Sequence, residues 1–284
     1  MYLTVNGARL FFDTAGSHLA IDGARMVERP ALVVLHGGPG FDHALMRPWF
    51  DRFADTHQVI YLDHRGNGRS GGEAETWRLA QWGDDIRDFC DALGLVKPVV
   101  YGPSFGGMAA MAYATRHPEH PGRLILASTT ARMDLPATYA AMERLGGARA
   151  AAIARRFWSE PSAEAAGDYM AVCMPLYNPR PAADPSAIQR AIMRTEVMFH
   201  FIAGEQRSMD MLGDLAKIAC PTLVTAGGAD PITPVACSRA IFAALPAGLG
   251  ELEIFEAAGH GVHRDEPERA EASLRRFLTK ETNP

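Results

Sequence analysis

Short apolar runs alternate with amphipathic segments along most of the chain. The runs are rich in aliphatic and β-branched residues, which predicts buried strands, and a hairpin is expected over roughly the first 13 residues. The predicted strands are Leu32–Leu35, Val59–Leu62, Val99–Tyr101, Leu124–Ala127, Thr222–Thr225 and Leu252–Phe255. Since apolar strands that alternate with helices are typical of a parallel sheet covered on both faces, the pattern predicts an α/β fold.

Helical spacing of apolar residues predicts the helices between these strands. One apolar face is formed by Trp82, Ile86, Phe89 and Leu93. Asp84 and Asp85 are expected in the first turn of this helix, where the helix dipole favours acidic side chains. The small residues Gly107–Ala114 predict a second helix, and a further one is expected to begin near Pro267.

The alternation stops between about Thr129 and Leu215. Four helical stretches follow one another there, and prolines interrupt them repeatedly. Strand character returns at Cys220–Val224, so this stretch is inserted into the sheet rather than appended to it. The pattern predicts a core formed by residues 1–128 and 216–284 and a helical cap, or lid, formed by residues 129–215.

The bulk composition is that of an ordinary globular protein, with 284 residues, 48% of them hydrophobic and 21% charged. The net charge is -5 and the basic residues are scattered among acidic ones, which argues against a nucleic-acid partner. Four irregularly spaced cysteines predict neither a zinc site nor disulfides.

No segment has the pattern of a signal peptide, and no apolar run reaches the length that spans a membrane. We therefore expect a cytoplasmic protein with no membrane partner. The oligomeric state stays open.

The strongest chemical signal is Gly102–Gly106, whose sequence Gly-Pro-Ser-Phe-Gly follows a predicted strand and precedes a predicted helix. In this context G-x-S-x-G predicts a tight turn that holds the serine at a strained backbone angle and exposes its hydroxyl. Ser104 is therefore the candidate nucleophile. A serine in an ordinary glycine-rich turn is the alternative, and the flanking strand and helix argue against it.

A serine hydroxyl needs a histidine to accept its proton and a carboxylate to orient that histidine. Asp230 and His260 follow the last two predicted strands, in the chain order that suits such a triad. His263 and Asp265 are rival candidates, but they lie at the start of the last predicted helix, where such side chains more often cap or pair. The predicted catalytic residues are Ser104, Asp230 and His260.

Acyl transfer also requires N–H donors for the oxyanion. We expect these from Phe105, which follows the nucleophile, and from Gly38 in the loop His36–Gly40 after the first buried strand. A generic glycine-rich turn is the alternative interpretation of this loop. His36 itself is interpreted as a structural hydrogen-bonding residue.

The segment Gly66–Gly71 matches the G-x-G-x-x-G pattern of dinucleotide-binding sites. Such a site requires the glycines to open directly into a helix, whereas Gly72–Ala74 continue a loop. We therefore predict no cofactor. The histidine pairs of the chain lack the sequence of a zinc-protease helix, so no metal is predicted either.

Four sequence elements together resemble the prolyl aminopeptidase (proline iminopeptidase) family of α/β-hydrolases. They are H-G-G-P-G at His36–Gly40, D-H-R-G-N-G-R-S at Asp63–Ser70, G-P-S-F-G-G at Gly102–Gly107 and the G-H pair ending at His260. The resemblance spans most of the predicted sheet. It implies the α/β-hydrolase fold, with a mostly parallel sheet flanked by helices and an inserted helical lid, and the same triad and oxyanion donors.

The chain departs from the family pattern at His64, where Gln is usual, and at the elbow, where the family has G-G-S-W-G-G. In family members that are aminopeptidases, lid glutamates bind the α-amino group of the substrate. Glu196 resembles one of these, and Glu205 is a second candidate. We expect Glu196 on a lid helix that begins near Ser186, partly desolvated among apolar neighbours. A surface ion pair with Arg194 is the alternative.

Three functions are compatible with these residues. The first is prolyl aminopeptidase-like cleavage of small amides or esters through an acyl-enzyme, with a small-molecule or short-peptide substrate. The second is a carboxylesterase or lactonase with the same triad under a different lid. The third is a ligand receptor that keeps the fold without catalysis, which the intact triad disfavours. A serine at the elbow also argues against aspartate-nucleophile dehalogenases and epoxide hydrolases.

Overall fold

The computed structural model of the protein describes residues 1–280. Its strands are β1 (Tyr2–Val5), β2 (Ala8–Ala15), β3 (Leu19–Asp22), β4 (Arg25–Glu28), β5 (Ala31–Leu35), β6 (Gln58–Leu62), β7 (Val99–Pro103), β8 (Arg123–Ala127), β9 (Thr222–Gly227) and β10 (Gly250–Phe255). Its α-helices are α1 (Leu79–Ala92), α2 (Phe105–Arg116), α3 (Leu135–Ser159), α4 (Ala163–Val172), α5 (Ala187–Arg190), α6 (Thr195–Ala203), α7 (Val235–Ala244), α8 (Val262–Asp265) and α9 (Pro267–Thr279). Short 3-10 helices occupy His43–Met46, Trp49–Asp55, Ala74–Thr76, Met174–Leu176, Glu205–Arg207 and Leu212–Lys217.

Eight strands form one sheet in the order β1-β2-β6-β5-β7-β8-β9-β10. β1 pairs antiparallel with β2 and β2 antiparallel with β6, while every other pair in this sheet is parallel. The carboxyl ends of the parallel strands therefore meet at one edge. Ligand sites of open α/β sheets lie at this edge.

Both faces of the sheet are buried, as β5 illustrates. Val33 and Leu35 belong to an apolar cluster with α1 and α2, whereas Leu32 and Val34 belong to a second cluster with α9. All four side chains are fully buried. Because successive residues of a strand point to opposite faces, a strand covered on both sides has no place for a polar residue.

The predicted α/β fold is confirmed, and all six predicted strands and the N-terminal hairpin are present. The last of these strands, β10, lies at the edge of the sheet, and only its Phe255 is fully buried. The hairpin of β3 and β4 was not predicted, because its apolar residues are not packed into a core and form no buried run. Ile21 and Met26 are paired across this hairpin and exposed.

The expected place of two acidic residues in α1 is wrong. The helix begins at Leu79, so Asp84 and Asp85 lie beyond its first turn. Asp85 forms a buried ion pair with Arg65, whose Nε lies 2.7 Å from Oδ2 of Asp85. The ion pair with the guanidinium, and not the helix dipole, therefore compensates the burial of this carboxylate.

Four α-helices, α3 to α6, lie between β8 and β9, and the described residues contain no strand there. The cap is defined as residues 129–215. Phe157, Trp158 and Tyr169 belong to an apolar cluster formed mostly by the cap, which also includes Phe41 and Ile232 of the core. The helix α3 is broken at Gly147. None of the helices in residues 1–280 combines the length and apolar character needed to cross a membrane.

Candidate active site

Ser104 stands at the turn between β7 and α2, with φ 50° and ψ -120°. A positive φ is strained for a residue with a side chain, so this turn holds Ser104 at the strained backbone angle that the G-x-S-x-G pattern predicts. The turn also requires close packing of backbones. A Cβ atom added to Gly106 would lie 2.6 Å from the carbonyl oxygen of His36, so only glycine fits beside the end of β5.

Ser104, His260 and Asp230 lie in one hydrogen-bonded row. Nε2 of His260 is 3.0 Å from Oγ of Ser104, and Nδ1 of His260 is 2.8 Å from Oδ2 of Asp230. The side chains come from the carboxyl ends of β7, β9 and β10, which the parallel sheet places at one edge. The structure therefore brings together the three residues that the sequence singled out.

The hydrogen bonds fix the tautomer of His260. An ionised carboxylate only accepts hydrogen bonds, so Nδ1 of His260 carries the proton and donates it to Asp230. Nε2 is then free to accept a hydrogen bond from the hydroxyl of Ser104. This is the arrangement in which a histidine can take the proton of a serine.

Asp230 is held by further donors. Its Oδ1 accepts hydrogen bonds from the amides of Ile232 at 2.8 Å and Thr233 at 3.0 Å, and its Oδ2 accepts one from Oγ1 of Thr233 at 2.8 Å. The side chain is completely buried. These donors supply hydrogen bonds to a carboxylate that is removed from water.

The predicted oxyanion donors belong to the first turn of α2 and to the loop after β5. Phe105 is the first residue of α2, where an amide has no acceptor within the helix, and a Cβ on Gly37 would be 3.6 Å from Cβ of Ser104. Within residues 1–280 the amide of Gly38 donates to no backbone acceptor. Asn67 supports this loop, since its Oδ1 accepts the amide of Gly40 at 2.6 Å.

Residues 30–267 match a family model described as the alpha/beta hydrolase fold. The chain belongs to the α/β-hydrolase family. It is a hydrolase by this membership, and its relatives divide over several substrate classes.

RutD of Caulobacter sp. strain K31, provisionally named a carbamate hydrolase, is 30% identical to this α/β-hydrolase over 250 residues, or 88% of this chain and 91% of RutD. A proline iminopeptidase of Xylella fastidiosa is 39% identical over 101 residues, or 34% of this chain and 31% of that protein. The solved structure of the esterase RhEst1 from Rhodococcus sp. ECU1013 has a TM-score of 0.77 at 20% identity, with 98% of both chains covered. The last likeness is one of fold.

Two buried histidines of this α/β-hydrolase lie behind the oxyanion loop. Nδ1 of His36 donates to the carbonyl of Gly37 at 2.7 Å, and its Nε2 accepts the amide of His64 at 3.1 Å. The ring of His64 packs between His36 and Phe105. Burial lowers the pKa of His36 and lowers that of His64 well below its usual value, so both rings are neutral near pH 7. His36 thus makes the structural hydrogen bonds that the sequence suggested.

The rival candidates His263 and Asp265 are placed away from the serine's hydrogen-bonded row. The ring of His263 packs against Trp49 and Phe50, and burial lowers its pKa to about 4. Oδ2 of Asp265 accepts the amide of Gly259 at 2.7 Å. Asp265 therefore shapes the loop that carries the histidine.

The environment expected for Glu196 is wrong. Its side chain is 56% exposed and its Oε1 lies 3.8 Å from Arg194, which is the surface pair given as the alternative. The chain is extended at Ala191, so the helix that begins near Ser186 ends at Arg190 and α6 starts anew at Thr195. The new helix turns Glu196 to solvent.

Glu205 was a candidate for binding a substrate α-amino group, but its carboxylate binds a backbone amide of the protein itself. Its Oε2 accepts the amide of Leu79 at 2.7 Å, which caps the first turn of α1. Arg78, at the N-cap position, makes no side-chain hydrogen bond to this helix. The carboxylate of Glu205 therefore satisfies a free amide at a helix N-terminus.

A compact group of possible metal ligands, Asp42, His43 and Asp63, is already occupied by protein contacts. Nδ1 of His43 is 2.7 Å from Oδ1 of Asp63, and a guanidinium nitrogen of Arg69 is 2.9 Å from Oδ2 of Asp42. A cation at this place would compete with the guanidinium. The loop Gly66–Gly71 leads into a short 3-10 helix at Ala74–Thr76 rather than an α-helix, unlike a dinucleotide site.

Sequence reasoning missed several residues that shape the site. Thr233 and Asn67 hold the acid and the oxyanion loop, and Tyr177 and Asn178 of the cap hold the loop of His260. Asn67 lies in the D-H-R-G-N-G-R-S element, so the family resemblance offered a signal for it. The other three follow no periodic pattern or motif.

Proposed function

We propose that the protein is a serine hydrolase that cleaves small, uncharged esters or lactones through an acyl-enzyme. The observation that carries the proposal is the row from Ser104 Oγ through both ring nitrogens of His260 to Asp230, with distances of 3.0 Å and 2.8 Å. A hydroxyl in this setting can lose its proton to the imidazole as it attacks a carbonyl carbon.

In the first half of the reaction, Oγ of Ser104 attacks the carbonyl carbon and its proton passes to Nε2 of His260. The carbonyl oxygen becomes an oxyanion, which the amides of Phe105 and Gly38 receive, while Asp230 stabilises the imidazolium. The bond to the leaving oxygen then breaks, and Nε2 returns the proton to it. The product of this half is an ester of Ser104.

In the second half, water attacks the acyl carbon and gives its proton to Nε2 of His260. The same amides receive the second oxyanion. When the bond between the acyl carbon and Oγ breaks, the proton returns to Ser104. The acid product leaves, and the enzyme regains its starting state with one water consumed.

The charges of the cap favour an uncharged substrate. Of the ten Asp and Glu residues among residues 129–215, eight are exposed, and the other two have partners within the protein. Those two are Asp184, paired with Arg190, and Glu205, which caps α1. An exposed carboxylate binds an ammonium group weakly because water and salt screen it. The cap thus offers no desolvated anion for a substrate α-amino group.

Prolyl aminopeptidase activity is the second candidate. It is supported by the matching sequence elements and by the 39% identity to a proline iminopeptidase over 101 residues. It requires an anion that selects a free N-terminus, but Glu196 is exposed and the carboxylate of Glu205 already accepts the amide of Leu79. A carbamate, the substrate class in the name of RutD, is a further carbonyl compound that the same steps would hydrolyse.

A substrate panel separates these candidates. Short-chain p-nitrophenyl esters, γ- and δ-lactones, an aryl carbamate, and prolyl and alanyl arylamides are compared at equal concentrations, with Ser104→Ala as the background. We expect ester or lactone hydrolysis that Ser104→Ala abolishes and that a fluorophosphonate blocks by labelling Ser104. Arylamidase activity above esterase activity would favour the aminopeptidase. If the wild-type protein were neither labelled by the fluorophosphonate nor active on any substrate, the proposed serine hydrolase function would be overturned.

A further inference from the structure

A short segment of the cap, Tyr177–Arg180, forms hydrogen bonds with the loop that carries His260. The carbonyl oxygen of Tyr177 accepts the amide of His260 itself at 2.8 Å. Oδ1 of Asn178 accepts the amide of Gly261, the next residue, at 2.9 Å. The two amides on either side of the His260 α-carbon are thus bound to the cap and not to the core.

Two more hydrogen bonds join this segment of the cap to the residues that follow His260. Nη1 of Arg180 donates to the carbonyl of Asp265 at 2.7 Å, and Nη2 of Arg264 donates to the carbonyl of Arg180 at 3.1 Å. A Cβ on Gly259 would lie 2.8 Å from Cα of Asn178, so the two segments touch through their backbones. The loop before α8 is therefore packed closely against the cap as well as against its own sheet.

The ring of Tyr177 also meets the ring of His260. Their centroids are 5.3 Å apart in an edge-to-face arrangement, and the Tyr177 hydroxyl lies 2.9 Å from that of Tyr169 in α4. Burial raises the pKa of Tyr177, so this hydroxyl stays protonated and keeps its hydrogen bond. Tyr169 in turn stacks on Phe157 in the centre of the cap. The imidazole is thus linked to the packed interior of the cap.

We propose that Asn178 is a positioning residue for the general base, and that it acts with the Tyr177 carbonyl to fix the backbone from which the imidazole projects. This rests on the proposed serine hydrolase function. Asp230 fixes the rotation of the ring through Nδ1, but it leaves the position of the His260 backbone free. Proton transfer from Ser104 depends on a 3.0 Å contact, and a displacement of about 1 Å can cost about 100-fold in rate.

Three variants test the proposal. Asn178→Ala removes the acceptor for Gly261, and Asn178→Asp keeps an acceptor of the same shape. Ser162→Ala is the control, because Oγ of Ser162 caps α4 through the amide of Ala165 and makes no contact with the histidine loop. The substitution removes the N-cap hydrogen bond of α4 and so destabilises this helix without touching His260.

The measurements are kcat and KM on the best substrate of the panel, and hydrogen exchange of a peptide that contains His260 and Gly261. For Asn178→Ala we expect kcat to fall roughly 10- to 100-fold with KM within about 2-fold, and the peptide to exchange about 10-fold faster. Asn178→Asp should recover kcat to within about 3-fold of the wild type. Ser162→Ala should change neither kcat nor the exchange of this peptide.

The proposal would be overturned if Asn178→Ala kept the kcat and the hydrogen exchange of the wild type. It would also be overturned if Ser162→Ala lost as much kcat as Asn178→Ala, because the loss would then come from the cap as a whole. The exchange measurement needs no catalysis. If the wild type hydrolyses nothing, the proposed function fails, while faster exchange in Asn178→Ala still shows that this residue holds the loop.

Discussion

Thr233 donates a hydrogen bond from its hydroxyl to Oδ2 of Asp230, the same oxygen that accepts Nδ1 of His260. One carboxylate oxygen therefore serves both a structural donor and the imidazole. The hydroxyl fixes the plane of the carboxylate, and the plane of the carboxylate sets the direction of the imidazole.

Thr233→Val should lower kcat by roughly 3- to 10-fold, because the buried carboxylate loses one of its donors and some of its orientation. Asp230→Asn should cost far more, on the order of 10,000-fold, since an amide favours the wrong tautomer of His260. Steady-state kinetics on the best ester checks both. Thr115→Val is the control, as that hydroxyl donates to the carbonyls of Met111 and Ala112 within α2. A Thr233→Val enzyme with wild-type kcat would contradict the orienting role.

Gly106→Ala should destabilise the elbow, since the added Cβ would lie 2.6 Å from the carbonyl of His36. We expect a loss of about 1 to 3 kcal/mol in unfolding free energy, the range for overpacking, and a fall in kcat as Ser104 shifts. Gly167→Ala is the matched control, because a Cβ added to Gly167 in α4 would meet no atom of residues 1–280 within 4 Å apart from the backbone of its own helix. It should gain about 0.5 to 1 kcal/mol. Urea unfolding measures both, and equal stability of the two variants would be inconsistent with the close packing.

Glu205→Ala should lower the unfolding free energy by about 0.5 to 2 kcal/mol, because the amide of Leu79 loses its acceptor. Glu196→Ala should change stability by less than about 0.5 kcal/mol, as expected for an exposed pair. Neither should alter KM for an ester. A KM for a prolyl arylamide that rises in either variant, with ester KM unchanged, would instead return that glutamate to the substrate site.

The stability of the protein should fall as the pH drops below the ordinary histidine pKa of 6.5, because His263 has a pKa of about 4 in the fold. Between these values the unfolded chain binds a proton that the folded protein excludes, so the stabilisation is complete above pH 6.5 and is lost as the pH approaches 4. His263→Phe keeps an aromatic ring beside Trp49 and removes the titration. The decline in unfolding free energy from pH 7.5 to 5 should be smaller by up to about 2 kcal/mol in this variant. Parallel declines in both proteins would contradict the prediction.

The catalytic residues and oxyanion donors that the sequence predicted share one property: each lies shortly after a strand of the sheet. Ser104, Asp230 and His260 lie within a few residues of strand ends, so the strand pattern and the sheet topology were enough to bring them together. The same holds for Gly38 after β5. A parallel sheet converts positions along the chain into neighbours at one edge.

The contacts of the cap could not be predicted in the same way, because they depend on where each helix ends. The prediction for Glu196 assumed one continuous helix from Ser186, but the backbone is extended at Ala191. Because of this break, the side chains after Ala191 point in directions that the helical spacing from Ser186 does not give. Asn178 lies 83 residues from its partner Gly261 and outside any helix or strand. Periodicity gives no information about such a contact.

The separation of Ser104 from His260 by 156 residues has a consequence for synthesis on the ribosome. At about 5 to 20 residues per second, the serine is made roughly 8 to 30 s before its base. During that interval the serine hydroxyl has no histidine partner to accept its proton. The nascent chain therefore passes much of its elongation with an inert serine, and reactivity toward acyl compounds begins only when β10 joins the edge of the sheet.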